Sequence, residues 1–452
     1  MSGQYEDAAN VGRKRDGDVE FVFNKGKVKG ANANFAALNQ PKGIRNVPET
    51  APRKARGHQT SGNMKKWNSF FSLIVGFVTA LSATGQTSLP LRFVPADSVF
   101  TWAYAGQGFP MIAQSLCPGV RAAQLAVPPG AADYRQKVEN LWQQVQPELN
   151  VVGGGDDELS YGQGLPAAYG FNLNGLMLLL TGRAAHADMM ERSLFNAVMR
   201  TLADSTLARR PDDLRAVAET LMGVPGVVYA TTADERDLYV NLYTNATANL
   251  CLQHERFALD QITDMPWSGQ VKFRVSRLAH PLPLRVHLRL PDWACKRRLP
   301  LTAFAYADTT ACLPRVYVNG HEIEPLKADA DGYVVIERTW RSLDEIYIDF
   351  PLVPQYVRRA EPATGIMRRG ALALQLGPVV YMVTTPTEGC GFVAHDALRL
   401  SPHPAPSGRQ QLEGDMFRYA GTPQDAAAPR VPFLAVPYAD GAPGRVWLSE
   451  TE

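Results

Sequence analysis

No pair of cysteines at CxxC spacing and no Cys/His cluster occurs in this sequence, so neither a zinc finger nor a disulfide framework is indicated. The five cysteines, Cys117, Cys251, Cys295, Cys312 and Cys390, are widely spaced and odd in number. They read as mostly buried apolar residues. A surplus of charge is missing too: Lys plus Arg total 46 against 44 Asp plus Glu, a formal net charge of +2. Such a balance gives no field to hold nucleic acid or an anionic membrane surface. Long apolar runs are scarce, and the longest falls short of a comfortable membrane span. The triple glycine Gly153-Gly154-Gly155 lacks a downstream Gly-Lys-Ser/Thr and is not a phosphate loop. What is there is a chain of 452 residues with ordinary apolar and charged content. That is room for roughly two or three domains with large cores.

Residues 1–63 are rich in Gly, Asn, Lys and Arg, have few apolar positions, and read as a disordered basic extension. Its triplet Arg13-Lys14-Arg15 reads as a solvated charge run. At Met64 the character changes. Lys65-Lys66, an apolar stretch from Phe70 to Ala83, and small residues ahead of Gln86 make residues 64–85 a secretory signal pattern. Its internal position leaves two expectations: a secreted or extracytoplasmic protein if Met64 starts the chain, or a membrane anchor if it does not. A short buried helix is the plain alternative. Residues 86–131 read as an irregular linker with one short strand at Arg92-Phe93-Val94.

Helical spacing starts near Ala132, where Tyr134, Val138, Leu141, Trp142 and Val145 share a face. In Tyr161–Thr181 apolar residues crowd every side, as in a helix packed inside others. The next helix, Ala184–Leu202, sets Met190, Leu194, Val198 and Leu202 in one stripe, with Asp188 and Arg192 as an i,i+4 pair elsewhere. Pro211 opens a third helix, with Asp212 and Asp213 complementing its dipole, a stripe at Leu214, Val217, Ala218 and Leu221, and Gly223 as its cap.

After Gly226 the period switches to alternation. Ten candidate strands run from Val227–Thr231 to Val379–Val383, with Asn319-Gly320 and Asp331-Gly332 as turns. The pattern fades from Pro386 to Pro429, and Phe433–Pro437 and Arg445–Leu448 supply final strands. The expected fold class is α+β: a helical block over 132–225, then antiparallel β-sandwich or jelly-roll domains over 226–360 and 361–452.

Several blocks carry a resemblance: LLLTGRAAHADMMERSLFNAVM (178–199), VPGVVYATTADERDLYVNLYTNATANL (224–250), LRVHLRLPDWA (284–294), VYVNG (316–320), GYVVIERTW (332–340), LQLGPVVYMV (374–383) and VPFLAVPYADGAPGRVWL (431–448). In order and spacing they resemble glycoside hydrolase family 127, the β-L-arabinofuranosidase-related enzymes, over roughly residues 132–450. The resemblance implies an (α/α)6 barrel of six helical hairpins followed by β-sandwiches. Three or four helices precede the strands here, so most of that barrel is missing. The remaining apolar helix faces must then be covered by the sandwich, a second copy or a partner.

The family's chemistry uses a zinc-held cysteine thiolate as nucleophile and a glutamic acid as acid/base. Its ligands come from a Glu-x-Cys motif at the head of one helix and a Cys-Cys-Pro before a later one. Matched back without a gap from Thr181, the first motif falls on Gln163 and Leu165; the second, placed just before the third helix after a segment shorter than in typical members, reads Arg209-Arg210-Pro211. The resemblance therefore implies a lost nucleophile and no metal cofactor. The carboxylates nearest the family's acid are Asp157 and Glu158, with Asp156 beside them; a solvated acidic turn is the alternative. Carboxylates at Asp188, Glu191, Asp212 and Asp213 read as helix pairing and capping, and His186, His254, His280, His287 and His321 as structural or surface residues.

Two readings follow. One is a glycosidase for arabinose-containing glycans with a rearranged site. The other is a catalytically inactive glycan-binding or structural module, with Trp267, Trp293 or Trp340 as exposed sugar-binding aromatics unless they are core residues. Carbohydrate is the expected partner, nucleic acid is not, and a homodimer would cover exposed helical faces.

Overall fold

The computed structural model describes residues 91–93, 98–104, 107–113, 142–143, 146, 149–153 and, with short gaps, 164–450. The expected extension, the signal segment and most of the helix expected from Ala132 lie outside these residues.

Helix α1 (Gly164–Thr181) carries no charged side chain, which suits its position among other helices. It stops at Gly182, whose φ of +70 lets the chain reverse while its N–H reaches the Leu178 carbonyl at 2.8 Å. Helix α2 (Ala184–Arg192) continues into a π-helical segment (Ser193–Val198) and α3 (Met199–Ala203). The wide turn has a local cause. The Ala197 N–H donates to the Val152 carbonyl at 3.3 Å, and the Ser193 hydroxyl donates to the Gly153 carbonyl at 2.6 Å. Gly153 permits this approach, since a Cβ there would stand 2.4 Å from the Ser193 nitrogen. Within the chain's own core, Met190, Leu194 and Val198 are buried, and only Leu202, 44% exposed, leaves the stripe. Helix α4 (Pro211–Gly223) begins at the expected proline. Gly223 is not a left-handed cap: its φ is −80, and the chain tightens into a 3-10 turn over Val224–Gly226.

The rest is mostly β-sheet. One sheet has the order β1 (Arg92–Phe93), β4 (Tyr229–Thr231), β5 (Asp237–Val240), β9 (Leu282–Arg289), β13 (Tyr333–Trp340), with β5 and β9 parallel. A second runs β12 (His321–Glu322), β11 (Arg315–Val318), β14 (Glu345–Asp349), β8 (Gln270–Ser276), β7 (Glu255–Thr263), β6 (Ala246–Leu252), β2 (Ser98–Tyr104), β3 (Gln107–Ala113). The short helix α5 (Asp292–Cys295) follows β9. The third runs β10 (Phe304–Tyr306), β15 (Pro354–Arg359), β16 (Ala371–Leu376), β17 (Val379–Val383), β21 (Arg430–Pro437), β20 (Gln410–Arg418), β18 (Cys390–Gly391), with β19 (Ser401–Pro404) on β20 and β22 (Trp447–Ser449) on β16.

The first two sheets face each other. Leu238, Val240 and Val286 meet Leu259, Phe273 and Ile346 around a cavity of about 20 Å³, which is apolar and far too small for a sugar. Helix α2 and the π-helical segment that continues it reach toward the first and third sheets respectively. Asn196 donates to the Pro378 carbonyl at 2.9 Å and accepts from the Val380 N–H at 2.8 Å, while Ala184 donates to the Asp331 carbonyl at 2.8 Å. Among the described residues no helix is long and apolar enough to cross a membrane.

Strands β10 and β15 fall outside the strands expected from the sequence, and three further strand regions depart from it for physical reasons. Strand β7 was hidden because its inward positions include Gln261 and Thr263, buried polar residues that spoil the alternation. The Gln261 side-chain amide nitrogen donates to the Leu242 and Thr244 carbonyls there. The β2–β3 hairpin lies in the expected linker; Gly108 and Pro110 lower its strand signal, and a proline is tolerated because β3 is the edge strand. Strand β20 occupies the stretch where the pattern fades, its alternation interrupted by Gly414.

Candidate active site

Two helix ends meet where the sequence places the motif positions. A Cβ built on Gly164, at the head of α1, would stand 2.9 Å from the Asp213 Cβ in the first turn of α4 and 3.0 Å from the Thr201 Cγ2 of α3. Leu165 is in the first turn of α1, and Arg209 and Arg210 lead directly into α4. Gln163, Asp156, Asp157 and Glu158 lie outside the described residues. Arg209 closes a 3-10 turn (Leu207–Arg209) and is exposed. Arg210 does the opposite: its guanidinium is inserted between Asp204 and Asp213 and pairs with both. Asp204 is fixed in turn, its Oδ1 accepting the Thr206 N–H and hydroxyl at 2.7 Å each.

The chemistry of this corner is that of a clasp. One guanidinium neutralises two carboxylates, and a guanidinium has no lone pair to give a metal. Zinc needs thiolate, imidazole or carboxylate donors converging on one point. The described side chains of this corner do not fit such an ion, because its carboxylates already face a cation. Among the described residues no group of three or more His, Cys, Asp or Glu could hold a metal. The described cysteines are on other elements. Cys251 is exposed on an outward position of β6, against the expectation of burial, Cys295 is half-buried in α5, and Cys390 is buried in β18. Burial pushes the Cys295 thiol up, and its S–H points at the Pro291 carbonyl at 3.2 Å, the reverse of an activated thiolate.

A separate ionic network on α2 is one that sequence reasoning misassigned. Asp188 and Arg192 do not pair with each other along α2. Arg289 on β9, fully buried, donates to Asp188 at 2.6 Å, to Glu191 at 2.5 Å and to the Asn241 carbonyl at 2.6 Å. Arg297 reaches the other Asp188 oxygen at 3.0 Å, and the Trp293 indole donates to Glu191 at 2.9 Å. Arg192 donates to Asp292 at 3.1 Å, to the Tyr306 hydroxyl at 2.9 Å and to Gln375 at 2.8 Å. Burial, and then the nearby Asp292 charge, push the Asp188 carboxyl up to about 6. For Arg289 burial acts to lower the pKa, but Glu191 and Asp188 overcome it and hold the guanidinium charged. A helix whose acids and bases look like surface pairs in sequence is thus an inward-facing ionic junction. The signal was available in composition: LRLPDWACKRR supplies Arg289, Asp292 and Arg297 within one short stretch.

A third cluster lies on the outer face of the first sheet. The His287 ring meets Asp237 at 2.7 Å and stacks on Tyr239 at 4.1 Å. Arg285 grips both oxygens of Asp237 at 2.7 Å. Burial would raise the Asp237 carboxyl, but the hydrogen bonds from Arg285 and His287 outweigh it and hold it low. With both oxygens occupied, Asp237 is a structural anchor, in keeping with the reading of His287. Trp293 and Trp340 are buried core residues and Trp267 is half-buried, so the tryptophans offered as exposed sugar platforms are not such.

A family model described as "Beta-L-arabinofuranosidase, GH127 middle domain" matches residues 237–352, which run from β5 to just past β14. The match covers about a quarter of the chain, and this stretch resembles that middle domain. The matched residues include β5, β9 and β13 of the first sheet and β6, β7, β8, β11, β12 and β14 of the second, together with Arg289 and Arg297. Solved structures extend the likeness across the fold. A GH127 β-arabinofuranosidase aligns with TM-score 0.59 and 21% identity, covering 86% of this chain and 66% of its own. A GH127 β-L-arabinofuranosidase from Geobacillus stearothermophilus T6 gives 0.56 and 20%, covering 71% and 57%. A further glycoside hydrolase gives 0.57 and 16%, covering 74% and 64%. The chain thus spans between 57% and 66% of the length of these neighbours, and the likeness is one of fold. No curated protein sequence matches the chain significantly.

Proposed function

We propose that this chain is a β-L-arabinofuranosidase-type glycoside hydrolase relative for arabinose-containing glycans, in which the thiolate–zinc centre has been replaced. The GH127 middle domain and the fold likeness support the glycan class. The single observation that carries the replacement is Arg210, whose guanidinium occupies the junction of α1 and α4 between Asp204 and Asp213. In this reading α1 to α4 are what the chain retains of the helical barrel. Any remaining hydrolysis runs through carboxylates alone: Glu158 or Asp157 protonates the leaving oxygen as the glycosidic C–O bond breaks, and the carboxylate so formed takes a proton from the water whose oxygen bonds to the anomeric carbon.

The test is a panel of aryl glycosides that includes the β-L-arabinofuranoside, at high protein loading, with and without a chelator. The expected result is slow arabinose release, unaffected by the chelator and reduced by Glu158→Gln or Asp157→Asn. Release abolished by the chelator would overturn the lost zinc centre. No release from any substrate would overturn the hydrolytic role.

A second reading, a non-hydrolysing glycan-binding module, is favoured by the same corner: both of its carboxylates are committed to Arg210. It is distinguished by arabinan binding without turnover.

A further inference from the structure

The outer face of the second sheet carries a row of partly exposed side chains outside the core. Tyr317 on β11 stands opposite Tyr347 on β14, Tyr347 opposite Lys272 on β8, and Lys272 opposite Ile262 on β7. The alternate residues Val316, Ile348 and Val271 are fully buried toward the first sheet. Alternation therefore commits these four positions to the outside, where both tyrosines are half-exposed and Ile262 is 55% exposed. The tyrosine rings are 5.9 Å apart and tilted by 49°, an offset pair rather than a closed stack.

The row is also held in place. Arg315 lies 5.3 Å from the Tyr317 ring centroid, and Glu322 fixes that guanidinium through both oxygens, at 2.7 and 2.6 Å. Lys272 pairs with Glu345 at 2.8 Å. Arg274, Asp349 and Asp260 share this outward register with Lys272, Arg315, Glu322 and Glu345, so both signs are interspersed and no single-sign field is present to attract a polyanion or polycation.

We infer that Tyr317 and Tyr347 form a surface platform for a neutral glycan chain, separate from the α1–α4 corner. Two amphipathic rings, pre-positioned and rimmed by hydrogen-bonding side chains, suit the apolar faces and hydroxyl edges of successive sugar units. Their mutual tilt suits a chain that twists between units. A protein partner fits less well, since one row is narrow against the ~800 Å² per partner that a stable interface buries. The choice of arabinose-containing glycans rests on the function proposed above; the binding face itself does not.

The test is affinity gel electrophoresis of the full chain in gels containing soluble arabinan, arabinogalactan or β-glucan. The expected result is retardation by at least one of them. Tyr317→Ala and Tyr347→Ala each weaken it by about tenfold, whereas Tyr317→Phe and Tyr347→Phe keep it within about twofold. Thermal unfolding should match wild type in all four variants, and Leu343→Ala, another exposed apolar position, serves as the binding control. Wild-type mobility unchanged in every gel would overturn the platform, as would alanine variants retarded like wild type. So would sedimentation showing a dimer that the alanine variants dissociate. Aryl-glycoside turnover in Tyr317→Ala/Tyr347→Ala separates the two proposals: retardation without any turnover keeps the platform and removes the hydrolytic role.

Discussion

The guanidinium of Arg289 meets the Asp188 carboxylate at 2.6 Å, and solvent reaches neither side chain. The pair joins a helix to a sheet strand across about a hundred residues of sequence, and Glu191 and Arg297 complete it. Removing Arg289 would leave two buried carboxylates, Asp188 held by Arg297 alone and Glu191 by the neutral Trp293 indole. Arg289→Met is therefore expected to cost about 3–5 kcal/mol in urea unfolding. Replacing Asp188 and Glu191 by apolar residues as well should recover much of that loss. An Arg289→Met variant as stable as wild type would mean that water, not protein, solvates this junction.

Stability should carry a signature of Asp188 as pH changes. Its folded-state pKa, about 6, lies above the ordinary value of 3.8, so between these values the folded chain binds more protons than the unfolded one. The contribution of this group to stability therefore rises as pH falls from 6 toward 4 and is fully unfavourable above 6. Subtracting the unfolding free energies of Asp188→Asn from those of wild type, from pH 4 to 7, should give a difference that moves in favour of wild type on acidification. A difference that moves the other way would show that the arginines dominate and hold the pKa low.

Asn196 is the clamp between the π-helical segment and the third sheet. Asn196→Ala would strip the Val380 N–H of its acceptor and the Pro378 carbonyl of its donor. The expected cost is roughly 1–3 kcal/mol, read by urea unfolding, with faster amide exchange at Val380. Unchanged exchange at Val380 would show that another group takes over its N–H.

The correspondence between the α1–α4 corner and the family's ligand motifs can be tested by reversal. Gln163→Glu, Leu165→Cys, Arg209→Cys and Arg210→Cys combined should give a chain that retains roughly one zinc ion after desalting, measured by elemental analysis. Arg210→Cys alone should retain none. A folded quadruple variant without zinc would show that these positions do not converge.

Much of the fold was legible because its signals are local. Pro211 marks the start of α4, Gly182 the end of α1, and Asn319-Gly320 the turn between β11 and β12, each through backbone preferences that a short stretch carries by itself. The misses are places where a residue answers to something distant. Gln261 looks like an outward residue until the Thr244 carbonyl is known to await it. Asp188 and Arg192 satisfy the spacing of a surface pair, and nothing within their helix says that Arg289 and Asp292 claim them instead. At the candidate site the sequence could name Arg209 and Arg210 but not tell them apart. Only the positions of Asp204 and Asp213 make one a half-buried clasp and leave the other in solvent.

The partners of α2 and the π-helical segment set a timetable for synthesis. Arg289, Gln375 and Val380 follow Glu191, Arg192 and Asn196 by 98, 183 and 184 residues. At about 5–20 residues per second a ribosome takes roughly 10–40 s to deliver the last of them. Through that interval the helix holds ionised and amide groups that cannot enter an apolar interior. It must wait in water or on a chaperone until the third sheet emerges. Docking of this helix is therefore a late step in maturation, and the lag between translation of Arg192 and of Val380 is a window for proteolysis that closes when Asn196 takes hold.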